Sequence, residues 1–471
     1  MTRFFLIVLF FFSGTLLLPA QTAKFPGTWQ GVLEVGGGVS LKIVFHISAD
    51  KDGLHASADS PDQSAFGLPC DSVSVSGNVI GITMKSLGAS YKGTLENDST
   101  INGNFNQQLS FPLVLKKNDV VAKRNRPQTP VGPFNYKSEN VSYPAGQHIL
   151  AGTITVPPGN GPFPAILLIT GSGPQDRDET IMEHKSFAVI ADHLTKQGYI
   201  VLRADDRGVG KSTGNFATAS TSDFAADASS GIDFLLSRPE VDKKKIGMIG
   251  HSEGGMIAPM VATSRNDINF IILMAGPGVQ IIDMMAEQNE AIAKSVGISA
   301  ATLKEIQPLF KSVVRAIINN TDSTAAITAV TTITDQWAAN TDKAIIKEMD
   351  FESPASRTTY IHEMVRQFQS PWFNYFITAD PSKTLEKVRC KVLAINGDKD
   401  VQVVSSQNLP GIEEALKKAK NKNYTIKELP GLNHLFQTCT KCTVEEYGEL
   451  EETIAPVVLD TIAGWLNKNV K

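Results

Sequence analysis

A chain of 471 residues, 42% hydrophobic and 20% charged, can bury a large core and is long enough for two or three folded units. Its formal net charge of −4, with no lysine- or arginine-dense stripe, excludes the electrostatic footprint of a nucleic-acid-binding protein. Four cysteines in this length can staple a loop but cannot be the scaffold.

The chain opens with a basic residue, Arg3, followed by a largely apolar run at 4–18 and then Leu18-Pro19-Ala20. An apolar region of about 15 residues is short for a membrane span, and Ala20 offers a small residue at a cleavage point. Residues 1–20 therefore read as a signal peptide, and the protein as exported, periplasmic or secreted, beginning at Gln21 once processed. No cysteine lies at that boundary to carry a lipid, and no later segment approaches about 18 uninterrupted apolar residues, so stable membrane insertion is not expected after cleavage.

Residues 21–119 read as all β, with strands near 29–35, 40–47, 53–60, 72–75, 79–84, 90–95 and 109–115. Period-two alternation is plain from Leu41 to Phe45 and from Ile80 to Met84, which predicts a small antiparallel barrel or curled sheet. His46 and His55 are isolated strand histidines and read as structural. Residues 120–135, with Pro127, Pro130 and Pro133, read as a semi-rigid linker.

From 136 to 471 the pattern changes. Apolar runs at 149–156, 165–170, 200–204, 245–249, 270–275, 391–396 and 424–429 alternate with helical stretches such as 186–197, 223–237 and 456–468. That alternation predicts a mostly parallel sheet covered on both faces. Between about 279 and 387 it stops and helices take over, at 284–296, 300–319, 323–340 and 358–368. An insertion of about 110 residues is too long for a loop and predicts a helical cap. The cap's rings, Trp337, Tyr360, Trp372, Phe373, Tyr375 and Phe376, pack mainly its own core, with one or two left to line an acyl or aryl pocket.

The stretch Lys245-Ile-Gly-Met-Ile-Gly-His-Ser-Glu-Gly-Gly255 is an apolar strand running into G-x-S-x-G and then a helix. This order is the context of a nucleophile elbow, a turn so tight that side chains at Gly250 and Gly254 would collide with backbone. Ser252 is the candidate nucleophile, and the Glu253 N–H, at a helix N-terminus, is a candidate oxyanion donor. A serine nucleophile needs a base held by a carboxylate, in the chain order serine, acid, histidine. Of the eight histidines only His362 and His434 lie well beyond Ser252, and only His434 also follows the strand at 391–396. Gly397-Asp-Lys-Asp400 offers two acids after that strand; Asp400 is preferred because Asp398 is still in the turn. The second oxyanion donor is placed at the Ser172 N–H, with Gly173 next, in the open loop after the strand at 165–170.

Two other motifs are set aside. Gly208-Val-Gly-Lys-Ser212 lacks the first glycine of a phosphate loop, and Asp205 and Asp206 would repel phosphate; with Arg207 they read as a structural ion pair at a strand end. Cys439-Thr-Lys-Cys442 reads as a local disulfide, since two thiols fall short of a zinc site. No metal or cofactor is expected.

The runs Gly171-Ser-Gly-Pro-Gln-Asp-Arg-Asp-Glu179, Asp205-Asp-Arg-Gly-Val-Gly-Lys-Ser-Thr-Gly214, Gly250-His-Ser-Glu-Gly-Gly255 and Asn396-Gly-Asp-Lys-Asp400 resemble the bacterial EstD-type esterases of the α/β-hydrolase superfamily, relatives of the serine aminopeptidase group. The resemblance implies an α/β-hydrolase sheet with a helical cap, preceded here by a small antiparallel β domain. It also implies a Ser252, Asp400, His434 triad and hydrolysis of small carboxylic esters. A serine peptidase is the first alternative, although about 95 residues of strand cannot build the β-propeller of dipeptidyl-peptidase relatives. A non-catalytic binding protein is the second, and has no need of an ordered triad.

Overall fold

Strand β7 (Ala89–Asn97) shows how the first part of the chain folds: Ala89, Tyr91, Gly93 and Leu95 point inward while Lys92 and Thr94 face out. The computed structural model describes residues 24–36, 39–50, 53–60, 65–107, 109–118 and 125–471. The expected signal peptide at 1–20, the processed terminus at Gln21 and linker residues 120–124 lie outside the described residues. The chain divides into two compact units, residues 1–123 and 124–471.

In the first unit the strands are β1 (Gly27–Gly36), β2 (Val39–Asp50), β3 (Gly53–Ser60), β4 (Ala65–Pro69), β5 (Ser72–Ser76), β6 (Val79–Met84), β7, β8 (Thr100–Gln107) and β9 (Leu109–Asn118). They form one antiparallel sheet in the order β4-β3-β2-β1-β9-β8-β7-β6-β5, so the chain starts at the centre and the two halves meet where β1 pairs with β9. Its core is filled by Phe25, Trp29, Phe45, Tyr91, Leu113 and Leu115. The buried Trp29 indole donates to the Phe25 carbonyl at 2.8 Å, so its one polar atom is satisfied. His46 and His55 pair locally, with Asp59 at 2.7 Å and Asp50 at 3.1 Å.

The second unit is built on eight strands: β10 (Lys137–Ala145), β11 (His148–Val156), β12 (Phe163–Ile169), β15 (Ile200–Ala204), β16 (Val241–His251), β17 (Ile268–Met274), β18 (Lys391–Gly397) and β19 (Tyr424–Leu429). A short hairpin, β13 (Thr180–Ile181) and β14 (His184–Lys185), lies apart. The order is β10-β11-β15-β12-β16-β17-β18-β19; β10 and β11 are antiparallel, and all pairs from β15 to β19 are parallel. This is the α/β-hydrolase topology. Alternate residues of β12 serve opposite faces. Leu167 and Ile169 pack with Ile232 and Leu235 of α2 (Thr221–Ser237), Ile257 and Val261 of α3 (Glu253–Ser264) and Ile412 of α11 (Ser405–Lys418). Ile166 and Leu168 pack with Phe187 and Ile190 of α1 (Ser186–Lys196) and Val458, Ile462 and Leu466 of α12 (Pro456–Asn469).

Between β17 and β18 come seven helices: α4 (Ile281–Ser295), α5 (Ala300–Ile318), α6 (Ser323–Asn340), α7 (Lys343–Glu348), α8 (Pro354–Phe368), α9 (Pro371–Thr378) and α10 (Pro381–Leu385). Ser299, Asp322, Asp342, Ser353, Ser370 and Asp380 cap successive helix starts by accepting backbone N–H groups, the local signal that punctuates this region. Phe310, Val313, Val330, Phe351, Phe368 and Phe373 make a core of their own, joined by Met256 from α3.

Two expectations change on folding. Asp205, Asp206 and Arg207 do not pair with one another: Asp205 takes Arg177 at 2.6 Å, Arg207 takes Asp227 at 2.7 Å, and Asp206 turns inward to accept from Thr170 Oγ1 and the Gln175 N–H, both at 2.9 Å. Adjacent residues at a strand end point in different directions, so neighbours in sequence take partners from other segments. The proline-rich stretch is held to the second unit, where Arg126 donates to the Met182 and Gly448 carbonyls at 2.9 Å and Gln128 to that of Ile454 at 2.7 Å. Cys439 and Cys442 are disulfide-bonded. Among the described residues no helix is long and apolar enough to cross a membrane.

Candidate active site

Strand β16 ends at His251, and α3 begins at Glu253; Ser252 between them has φ 54° and ψ −118°. That is a strained conformation for a residue with a side chain, and the surroundings impose it. The Ser252 N–H donates to the Met274 carbonyl at 2.8 Å, and the Ser252 carbonyl accepts from Gly255 at 2.8 Å. A Cβ at Gly250 would run into the Gly254 carbonyl, and one at Gly254 into that of Ile169, so no other residue fits either flank. Ser252 itself stays half-buried while His251 and Glu253 are buried.

Asp400 and His434 meet although 34 residues separate them. The imidazole Nδ1 lies 2.8 Å from Asp400 Oδ2, and both side chains are buried. The other carboxylate oxygen of Asp400 accepts the N–H groups of Gln402 at 2.7 Å and Val403 at 2.9 Å. An acceptor-only carboxylate on Nδ1 puts the proton there and leaves Nε2 as the free base. Asp398 is spent elsewhere: it accepts the Gly431 N–H at 2.6 Å and faces Lys399 at 3.2 Å. The Ser252 hydroxyl makes no hydrogen bond to the His434 ring among the described residues; such contacts are often long in a free enzyme.

Ser172 is exposed, on the loop after β12, and among the described residues neither its N–H nor that of Glu253 has an acceptor. The preceding Gly171 N–H is taken by Glu179 Oε1 at 2.8 Å. The Glu253 carboxylate is buried and accepts from Thr221 Oγ1 at 2.7 Å, the Trp372 indole at 2.9 Å and the Ser172 hydroxyl. Burial pushes this carboxyl above its usual range, against the pull of those three donors. Its side chain thus ties the loop after β12 to α9 of the helical insertion.

Glu179 and His251 have no role in the sequence pattern, where Trp372 reads as one of the packing aromatics. His251 faces Glu179 Oε1 through Nδ1 at 3.0 Å and the His434 carbonyl through Nε2 at 3.0 Å, beneath the nucleophile. Its place beside the serine in G-H-S-E-G was the only available signal. Cys439, Cys442 and Glu446 form the one candidate metal cluster among the described residues, and its two sulfurs are consumed by the disulfide.

Residues 147–426 match the family described as X-Pro dipeptidyl-peptidase (S15 family). The chain is similar to esterase EstD of Thermotoga maritima, 27% identical over 323 residues, 68% of this chain and 66% of that protein. It is also similar to acyl-coenzyme A thioesterase 3 of Mus musculus, 26% identical over 179 residues, 38% of this chain and 37% of the thioesterase. Less than two thirds of either relative's length is therefore spanned. Among solved structures, the Pyrococcus furiosus esterase Pf2001 aligns with a TM-score of 0.42 at 16% identity, covering 74% of this chain and 98% of that one.

Proposed function

This chain belongs to the X-Pro dipeptidyl-peptidase (S15) family of hydrolases, and from that premise we propose that it is a serine carboxylesterase acting on small carboxylic esters through an acyl-enzyme on Ser252. The observation that carries the reading is the strained Ser252 elbow in one structure with a buried Asp400–His434 pair whose Nε2 is left free. His434 takes the proton of Ser252 as the hydroxyl attacks the ester carbonyl. Asp400 holds the Nδ1–H tautomer and stabilises the imidazolium that forms. The N–H groups of Ser172 and Glu253 receive the oxyanion, His434 returns the proton to the leaving alcohol, and water repeats the sequence on the acyl-enzyme. The similarity to EstD supports ester over amide substrates. No cofactor takes part in this scheme.

The S15 match favours a second reading, release of X-Pro dipeptides. Nitrophenyl esters of increasing acyl length, assayed beside X-Pro and aminoacyl nitroanilides, decide between them. The ester reading predicts kcat/KM on short esters far above any amide; faster X-Pro nitroanilide cleavage would reverse the assignment. A fluorophosphonate probe is expected to modify Ser252 alone. The basic, apolar N-terminus supports export, for which N-terminal sequencing of the processed protein should read from Gln21.

A further inference from the structure

Beneath the elbow lies a second histidine–carboxylate pair that the triad does not use. His251 and Glu179 are both buried, 4% and 1% exposed. Each nitrogen of His251 faces an acceptor: the carbonyl of His434 can only accept, so Nε2 carries a proton, and Nδ1 faces a carboxylate. The same Glu179 oxygen already accepts the Gly171 N–H at 2.8 Å, so it is placed as an acceptor, and Nδ1 carries a proton too. Two N–H groups on one ring make an imidazolium. Among the described residues Glu179 has no other cationic partner, and a buried carboxylate left alone would be costly.

We propose that Glu179 and His251 form a buried ion pair that positions the catalytic groups: His251 fixes the His434 loop by its carbonyl, and Glu179 fixes the oxyanion loop by the Gly171 N–H. The proposal rests on the reading of Ser252 and His434 as nucleophile and base. One pair then sets the relative position of the donor loop after β12, the end of β16 and the loop after β19, which no single strand could do. It also balances charge. The rings of His251 and His434 lie 4.9 Å apart, so an unpaired cation at His251 would oppose the imidazolium that His434 must become, and Glu179 cancels it.

The groups facing His251 are Glu179, Asp400, and the carbonyl and ring of His434, the ring at 4.9 Å, with the Phe436 ring at 6.2 Å; Asp206 is the next acid, beyond Glu179. Burial works against the His251 charge, but Glu179 and Asp400 outweigh it and hold its pKa above the usual histidine range. A raised folded pKa means that the His251 charge is held at neutral pH and that the tie is lost as pH climbs through that folded value. The wild-type enzyme should therefore show an alkaline limb in the rate of fluorophosphonate labelling of Ser252.

Glu179→Gln should slow labelling and esterase kcat with little change in KM, and move the alkaline limb down by roughly 1–3 pH units. Glu179→Asp should restore part of the rate and the limb. His251→Gln should be slow with no such limb. Folded variants with wild-type rates and pH profiles overturn the proposal. The state of the pair is read without any substrate, from ring-nitrogen NMR of the histidine-labelled full chain, with His251 assigned through its contact with Phe436. An imidazolium at pH 7.5 is expected, and a neutral His251 ring there overturns the proposal even if every variant fails to fold. If the probe does not label Ser252 at all, the esterase reading falls while the NMR result still decides the ion pair.

Discussion

At Asp398 and Asp400 two carboxylates two residues apart meet different donors, and that difference sets what each substitution should do. Asp400→Asn leaves an amide on His434 Nδ1 and favours the wrong tautomer, so kcat should fall by up to about 10⁴-fold in a folded enzyme. Asp398→Asn loses only part of its hold on the Gly431 N–H, so steady-state kinetics should stay within about tenfold of wild type and thermal denaturation should show a small loss of Tm. Ser252→Ala and His434→Ala should each remove on the order of 10³-fold or more, and the double variant little beyond either, because the two act as one unit. A different residue sets a pH effect on stability. Burial pushes the Asp206 carboxyl up to about 8, despite donors from Gln175 and Thr170, with Glu253 and Glu179 adding to the shift. Unfolded, it ionises near the ordinary carboxylate value of about 4. The folded state therefore holds the extra proton between those values, and this group makes stability fall as pH rises from about 4 to about 8. Asp206→Asn should gain on wild type by several degrees of Tm between pH 5 and pH 9; a pH-independent difference in melting scans counts against a buried, protonated Asp206.

At the scale of the element, the loop after β19 shows which of two local ties matters more. The Cys439–Cys442 disulfide closes a loop of sequence separation 3, so it removes little entropy from the unfolded chain. Glu446, buried beside it, accepts the backbone N–H groups of Thr440, Lys441 and Cys442. Despite the opposing cost of burial, these donors hold the Glu446 carboxyl below its usual range. Its contribution is therefore present above the ordinary glutamate pKa and is lost as pH falls through the depressed folded value. Replacing both cysteines by serine should lower Tm by only a few degrees, while Glu446→Ala, which strands three donors, should cost more at pH 7 and progressively less in acid. Differential scanning calorimetry at pH 7 and pH 3.5 reads both; a larger loss from the cysteine pair reverses the ranking.

Across the whole molecule, the core of the first unit is drawn from its own residues, from Phe25 to Leu115, and its β1–β9 pairing closes the unit on itself. A fragment ending at residue 123 should fold alone, with a β-type circular dichroism spectrum and a cooperative melt. Residues 124–471 expressed separately should keep esterase turnover within about threefold of the full chain. A helical or unfolded first fragment sinks this reading of the architecture.

Much of that architecture was legible in one dimension. Strand and helix positions in the second unit follow from apolar periodicity, and the meeting of Asp400 with His434 follows from chain order, because β16, β17, β18 and β19 run parallel and the loops after them leave one end of the sheet. The elbow announced itself for the same reason: only Gly250 and Gly254 clear the backbone there. What the sequence could not determine was pairing between distant segments. Nothing in Glu179, His251 and Gly171 read in order says that one carboxylate oxygen will join the other two, or that Trp372, while stacking on Phe376 in its own helix, will also donate its indole N–H to Glu253. The Asp205, Asp206 and Arg207 cluster failed as a local ion pair on the same ground. A buried charge must be satisfied by whichever partner the packed chain brings within about 3 Å, and that choice exists only once the segments have met.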